Sequence, residues 1–383
     1  MERISVSPQL LSWARERARL DAAALAQRFP KLSAWEAGEL LPTLRQLQDY
    51  AHATHAPFGY FFLPEPPVEP VPIPDFRTLS DRAVTRPSPD LLDTVYACQE
   101  RQSWYREHAQ VSGLAQLAFV GSLTRDMPPT RAAEHIRDAL GFSVEARRSC
   151  ANWSEALRQF IAQAEGLGVL VMVNGVVLSN NTRKLDPQEF RGFVLSDPWA
   201  PLVFINGADS KAAQMFTLAH ELAHLWLGQT ALSDASGDHE GGHAVESWCN
   251  QVAAELLVPM AVFMAELHEH EPLQDTLSRL ARHFKVSTLV VLRRLHDAGQ
   301  LDRQDFFAAY HEELIRIQAL DTRQSGGGSF YNTTLARVGK RYARALVEST
   351  LEGRTLYRDA FRMLGISKTA TFHELGRTLG YPL

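Results

Sequence analysis

Residues Phe216–Gly228 read FTLAHELAHLWLG, within a longer stretch whose apolar positions Met215, Phe216, Leu218, Ala219, Leu222, Ala223, Leu225 and Trp226 recur at helical spacing. Asp209 or Ser210 can cap this helix and Gly228 can end it. Inside it lies His220-Glu221-Leu222-Ala223-His224. Two histidines four residues apart are offset by only about 40° around a helix, so one ion can meet both imidazoles. Glu221 is about 100° from the first histidine, so it can miss the ion and still reach a water beside it. Zinc lowers the pKa of such a water toward ~7, and a carboxylate can take its proton during attack on a peptide carbonyl. Ordinary amphipathic-helix histidines flanking a solvated glutamate are the competing explanation. The surrounding helix is apolar, however, and burying two histidines and a glutamate there is costly unless they have a task.

A catalytic zinc takes three protein ligands and keeps one position open. Residues 229–243 (QTALSDASGDHEGGH) are polar and glycine-rich and read as a loop; residues 244–257 return to a helical pattern stopped before Pro259. Glu246 opens that second helix, 22 residues after His224. Glu255 is nine residues further on, about 180° around the same helix, so both glutamates cannot face one ion. Asn250 shares the face of Glu246, while Ala253, Ala254 and Leu257 offer a small, apolar surface for packing against the first helix. Glu246 is therefore the chosen third ligand, with His243 and His239 in the loop as rivals. Two histidines and one carboxylate also suit Mn or Fe, and it is the HExxH spacing that selects zinc.

Upstream, Gly168–Val173 (GVLVMV), Phe190–Ser196 (FRGFVLS) and Leu202–Asn206 (LVFIN) are short, β-branched or aromatic runs between turn-forming residues, a small sheet expected to be partly antiparallel. Such a sheet offers an edge along which an extended peptide could lie. Helical periodicity is expected from Ser88 to about Gln110, over Arg131–Leu140 and over Trp153–Gly166. Beyond Pro259 the chain reads as helical, apart from a break at SGGGS (325–329).

The whole chain has 383 residues, 45% hydrophobic, enough to bury a core and divide into two or three units. Its 39 Lys+Arg against 44 Asp+Glu exert no global pull toward nucleic acid or an anionic membrane, so any such contact must be local. Cys98, Cys150 and Cys249 have no CxxC or ladder spacing, which argues against a disulfide framework and a thiolate metal site and fits a reducing cytoplasm. The first residues, MERISVSPQLLSWARERARL, carry charges throughout and lack the apolar core of a signal peptide, and no later stretch approaches 18 uncharged apolar residues. A cytoplasmic protein is expected.

Two blocks, Phe216–Gly228 and E-x-x-C-N-x-x-A-A-E-L-L-V-P over Glu246–Pro259, together with the preceding strands, resemble the ImmA/IrrE family of metallopeptidases across roughly residues 150–300. The resemblance implies an α+β, zincin-like core, zinc on His220, His224 and Glu246, and a catalytic Glu221. It also implies a protein substrate, a DNA-binding repressor often of the XRE type, cleaved in a stress or mobile-element switch.

Residues 8–62 alternate short apolar runs with breaks near Pro30, Gly38 and Pro57 and resemble a degenerate XRE-type helix-turn-helix unit, through Leu25-Ala26, Trp35-Glu36-Ala37-Gly38 and Pro42-Thr43. Pro30 falls between Ala26 and Trp35, which halves the expected recognition helix, and residues 1–70 carry seven Lys+Arg against eight Asp+Glu. A docking unit without DNA contact competes with a DNA-binding one. The six prolines of Leu63–Pro74 mark an extended connector. A second helix-turn-helix-like pattern, with Ser287 as a cap, lies in residues 279–300, whose five Lys+Arg and one Asp could make phosphate contacts or simply buttress the core. Residues 323–361 are basic as well and read as a helical tail that packs through its tyrosines.

The expected organisation is a helical unit at 1–63, a linker at 64–87, the metallopeptidase domain at 88–270, the helix-turn-helix-like segment at 271–300 and a helical extension at 301–383. The expected activity is zinc-dependent endopeptidase. The competing class is a transcriptional regulator or antitoxin-like binding protein with a vestigial metal site, reaching DNA through residues 8–62 or 279–300.

Overall fold

Proline and short polar caps punctuate the first 62 residues into brief helices. In the computed structural model, which describes residues 3–75, 86–233, 244–321 and 329–382, these are α1 (Pro8–Arg17), α2 (Ala22–Arg28), α3 (Leu32–Glu36), α4 (Leu44–Thr54) and a 3₁₀ turn at Phe58–Phe62. Pro8 occupies the first turn of α1, Asp21 caps α2, and Thr43 with Gln46 forms a reciprocal capping box on α4. Leu10, Leu11, Trp35, Leu47, Tyr50 and Phe61 build the core of this unit, in which the Tyr50 hydroxyl donates to Leu11 O at 2.8 Å. The helix interrupted by Pro30 is only five residues long and buries Leu32 and Trp35. Arg15 pairs with Glu36, and Arg17 with Glu69, so two of the unit's cations are engaged internally.

The described residues divide into two compact units, 3–72 with 86–96 and 73–75 with 97–382. After α5 (Pro89–Val111), the second unit contains α6 (Pro129–Leu140), α7 (Val144–Arg148) and α8 (Trp153–Leu167). The strands follow as β1 (Leu170–Asn174), β2 (Val176–Val177), β3 (Asn180–Lys184), β4 (Gly192–Leu195) and β5 (Leu202–Asn206). Next come α9 (Lys211–Trp226), β6 (Ala231–Ser233) and α10 (Ala244–Leu257). The main sheet has the order β1-β5-β4-β6, with β1 parallel to β5 and both other pairs antiparallel, while β2 and β3 form a separate hairpin. Every residue of β4, β5 and β6 is buried, and Phe193 stacks on Phe204 at 4.9 Å. The fold is α+β, a small mixed sheet packed by the HExxH helix, as the two-block reading expects.

Three sequence expectations need correction. Residues 231–233 are a strand rather than loop: three residues are too few to display alternation, but they close the sheet against β4. The two residues of β2 and the five of α7 are too short to show a period, and β3, NNTRK, has no apolar residue to alternate. The run 190–196 contributes only Gly192–Leu195 to the sheet. His239 and His243, and residues 325–328 of the glycine run, lie outside the described residues.

The remainder is helical: α11 (Met260–Ala265), α12 (Leu273–Phe284), α13 (Thr288–Asp297), α14 (Arg303–Asp321), α15 (Phe330–Val338), α16 (Lys340–Leu351), α17 (Tyr357–Leu364) and α18 (Thr369–Thr378). Ser287 caps α13, and this segment's charges point largely to structural work. Arg294 is 4% exposed, pairs with Glu255 and donates to Val258 O at 2.7 Å. Arg279 pairs with Glu271 at 2.6 Å, Arg293 with Asp297 at 3.0 Å, and Lys285 lies over the Trp153 ring. Arg137 from α6 and Arg147 from α7 donate to Glu255 O and Leu257 O, so guanidinium groups from three elements hold the carbonyl end of α10. Replacing Arg294 by Met would leave Glu255 in the interior without its cation and is predicted to cost about 2–4 kcal/mol in urea unfolding, whereas exposed Arg282→Ala should change stability by less than about 0.5 kcal/mol. Equal losses for the two would contradict the buttress role.

Candidate metal centre

Helix α9 begins where Ser210 accepts a hydrogen bond from Ala213 N, and twelve of its residues, Gln214 to Trp226 with Phe216 the exception, are buried. A helix buried on all sides is a core helix. Its last carbonyls are not left bare: Gly121 N donates to Leu225 O and Leu123 N to Trp226 O. That close approach is possible because Gly228, at φ +69°, has its Cα side against Gly121, where an added Cβ would meet the Gly121 Cα at 2.9 Å. Both ends of the helix that carries the candidate site are thereby fixed.

Helix α10 packs on α9 and α6 through buried Val252, Ala253, Leu256 and Leu257, and Trp248 Nε1 donates to Met127 O at 2.9 Å. This brings Glu246, in the first turn of α10, to the two histidines. His220 Nε2 is 3.2 Å from Glu246 Oε2, His224 Nε2 is 3.1 Å from Glu246 Oε1, and the two Nε2 atoms are 3.1 Å apart. The three residues offer ligand atoms that all lie within 4.8 Å of one another. Glu255 faces away toward Arg294. Glu221 is fully buried beside the cluster, with the Ser233 hydroxyl close enough to favour its ionised form.

Burial governs the protonation of these groups. It pushes the Glu221 carboxyl up to about 8, against the pull of His220. Burial also opposes ionisation of Glu246, but its bonds to the two imidazoles outweigh this and hold the carboxyl down at about 2. For His224, burial and the neighbouring His220 lower the pKa; for His220, burial is outweighed by the bonds to Glu246 and the pKa rises. A cation at the convergence point would satisfy this donor set: two imidazole nitrogens and a carboxylate are borderline ligands suited to zinc, and a positive charge favours the ionised forms of both glutamates.

Two residues at the site were not singled out from the sequence. Gly192 of β4 abuts Glu221: a Cβ there would lie 2.5 Å from Thr217 Cγ2 and 3.1 Å from Glu221 Oε1. An isolated glycine within a strand pattern is the signal for such close approach. Ser233 of β6 places its Oγ 3.4 Å from His224 Nε2, and no sequence signal distinguishes it within a polar stretch.

Residues 164–296, which hold the sheet, α9 and α10, match the model of the IrrE N-terminal-like domain of the M78 peptidases. This part of the chain is similar to an IrrE N-terminal-like domain. The radiation response metalloproteases IrrE of Deinococcus radiodurans and Deinococcus deserti are each 36% identical to it over 104 residues, 26% of this chain and 32% and 37% of those proteins. The chain thus spans about a third of the length of these curated relatives. Residues 338–378, from the last residue of α15 to the end of α18, match a separate domain of unknown function. Among the described residues no helix is long and apolar enough to cross a membrane.

Within the IrrE-like domain, Gly192→Ala is predicted to destabilise the protein by about 1–3 kcal/mol, because the methyl group meets Thr217 and the Phe204 carbonyl before it can be accommodated. Chemical denaturation against wild type checks this, and an unchanged midpoint would show that β4 and α9 are less closely packed than described.

Proposed function

We propose that this protein is a zinc-dependent endopeptidase in which His220, His224 and Glu246 hold the ion and Glu221 is the general base. The observation that carries the reading is the convergence of those three side chains in one buried cluster, with a further buried glutamate on the HExxH helix beside it. When bound, the ion would supply Lewis-acid chemistry, activating a water and polarising the scissile carbonyl. Glu221 would accept the water's proton and deliver it to the leaving amine, a shuttle that needs a carboxylate near the cluster but not ligating it. Glu246 keeps the two imidazoles oriented and is itself set at the start of α10, where the helix dipole favours its negative charge.

The resemblance to the ImmA/IrrE family and the relatives' description as radiation response metalloproteases direct the search for a substrate to DNA-binding repressors of the XRE type, acting in a stress or mobile-element switch. The cysteine pattern suits action in the cytoplasm. The competing reading, a DNA-binding regulator with a vestigial metal site, gains little from the internal engagement of Arg15, Arg17, Arg279, Arg293 and Arg294.

Elemental analysis should find about one zinc per purified chain, lost in Glu246→Ala and kept in Glu255→Gln, the latter chosen because Glu255 serves buried Arg294. Zinc retained by Glu246→Ala would sink the ligand assignment. Glu221→Gln should keep the metal and slow cleavage of an XRE-type repressor by roughly 10²–10⁴-fold. Undiminished cleavage would remove Glu221 from its role.

A further inference from the structure

The strand that ends the sheet on the side of the metal cluster is β6, whose inner edge pairs with β4 through Ser233 opposite Gly192 and Ala231 opposite Val194. Leu232, between them, turns its backbone outward. Its N–H donates to Pro74 O at 2.9 Å, and Asp75 bridges Leu232 in parallel fashion. Ile73, just before, is 7% exposed. The chain's own segment Ile73–Asp75 therefore lies as a short added strand on the outer edge of β6.

That edge adjoins the candidate catalytic residues. Ser233, next to Leu232, has its Oγ 3.4 Å from His224 Nε2, and Gly192, opposite Ser233, abuts Glu221. Neighbouring strands lie about 4.8 Å apart, so a strand on the Leu232 edge is one strand spacing from the residue that touches the cluster. An extended polypeptide reaching the cluster by strand addition would use the Leu232 N–H, the group that Pro74 O now holds.

We propose that the outer edge of β6 is the docking edge for an extended segment of the protein substrate, and that Ile73–Asp75 is a resident competitor that the substrate must displace. The proposal rests on the peptidase reading above and adds to it the binding mode and an internal inhibitor. The sequence of the segment suits that part. Pro74, whose carbonyl faces β6, has no N–H on that side, and neither has Pro72 two residues before it, so the segment accepts a hydrogen bond from the edge but donates none back at these positions, which makes it an occupant a full strand can displace. Proline also holds the backbone extended before it binds, which lowers the ordering cost of occupying the edge. A resident competitor reduces a substrate's apparent affinity by the fraction of time the edge is open.

The test uses the full chain with Glu221→Gln as parent, so that binding is read without turnover. A fluorescent peptide of residues 68–75 (VEPVPIPD) is titrated against the parent, against Ile73→Asp, which removes the buried anchor, and against a second variant with residues 72–75 replaced by Gly-Ser-Gly-Ser. Both variants are expected to bind the peptide at least about ten-fold more tightly than the parent. The Leu232 amide should exchange with deuterium faster in the variants and be protected again by the peptide. Equal binding to parent and variants, or no binding to variants whose zinc content and circular dichroism match the parent's, would overturn the proposal. Cleavage assays with Glu221 restored report on the peptidase reading separately: a variant that binds the peptide but comes from an inactive enzyme would leave the docking edge standing and remove only the activity.

Discussion

Four ionisable side chains, His220, Glu221, His224 and Glu246, are 0%, 0%, 0% and 6% exposed in the interior of an apolar helix pair. Taking an unpaired charge out of water costs several kcal/mol, so such a group survives only where partners are fixed in place. Much of the second unit can be understood as that fixation. Ser210 and the backbone of residues 121–123 secure the ends of α9, three arginines hold the carbonyl end of α10, and Gly192 lets β4 lie against Glu221. The imidazoles and Glu246 satisfy one another in part, and their three converging ligand atoms, with the buried Glu221 carboxyl beside them, form a set that could hold a metal ion.

The regions outside the IrrE-like domain are built differently. In the first unit, α3 is cut to five residues, and Arg15 and Arg17 are engaged in ion pairs with Glu36 and Glu69. At the other end of the chain, α15 and α16 pack on β1, the strand farthest from β6. Their junction at Gly339, with φ +81°, sits so close to the sheet that a Cβ would meet Val171 O at 2.8 Å. Arg101 of α5 donates to Met363 O, and Tyr342 is fully buried against Met363. The described part of the basic stretch, residues 329–361, thus belongs to a packed set of helices.

How much of this was legible in the sequence depended on length and period. Helix α9 could be read almost to the residue because sixteen positions carry a clear pattern between a serine cap and a glycine stop; β5 was read at its full extent because five consecutive apolar or turn-flanked residues mark it. Helical angles aligned His220 with His224 and showed that Glu246 and Glu255 cannot both face one ion; the choice of Glu246 drew also on the packing surface of its helix and on the family resemblance. By contrast, β6 has three residues and the Pro74–Leu232 contact joins positions more than 150 apart, and neither leaves a periodic trace. The inward use of Arg294 was equally hidden, since charge counts do not say which side of a helix packs.

The central claim concerns which atoms hold the ion, and anomalous diffraction at the zinc absorption edge from crystals of the full chain tests it most directly. The account predicts one strong peak about 2.0–2.2 Å from His220 Nε2, His224 Nε2 and a Glu246 oxygen, with Glu221 outside ligand distance. A peak held by histidines of residues 234–243 in place of Glu246, or ligated by Glu221, would contradict it.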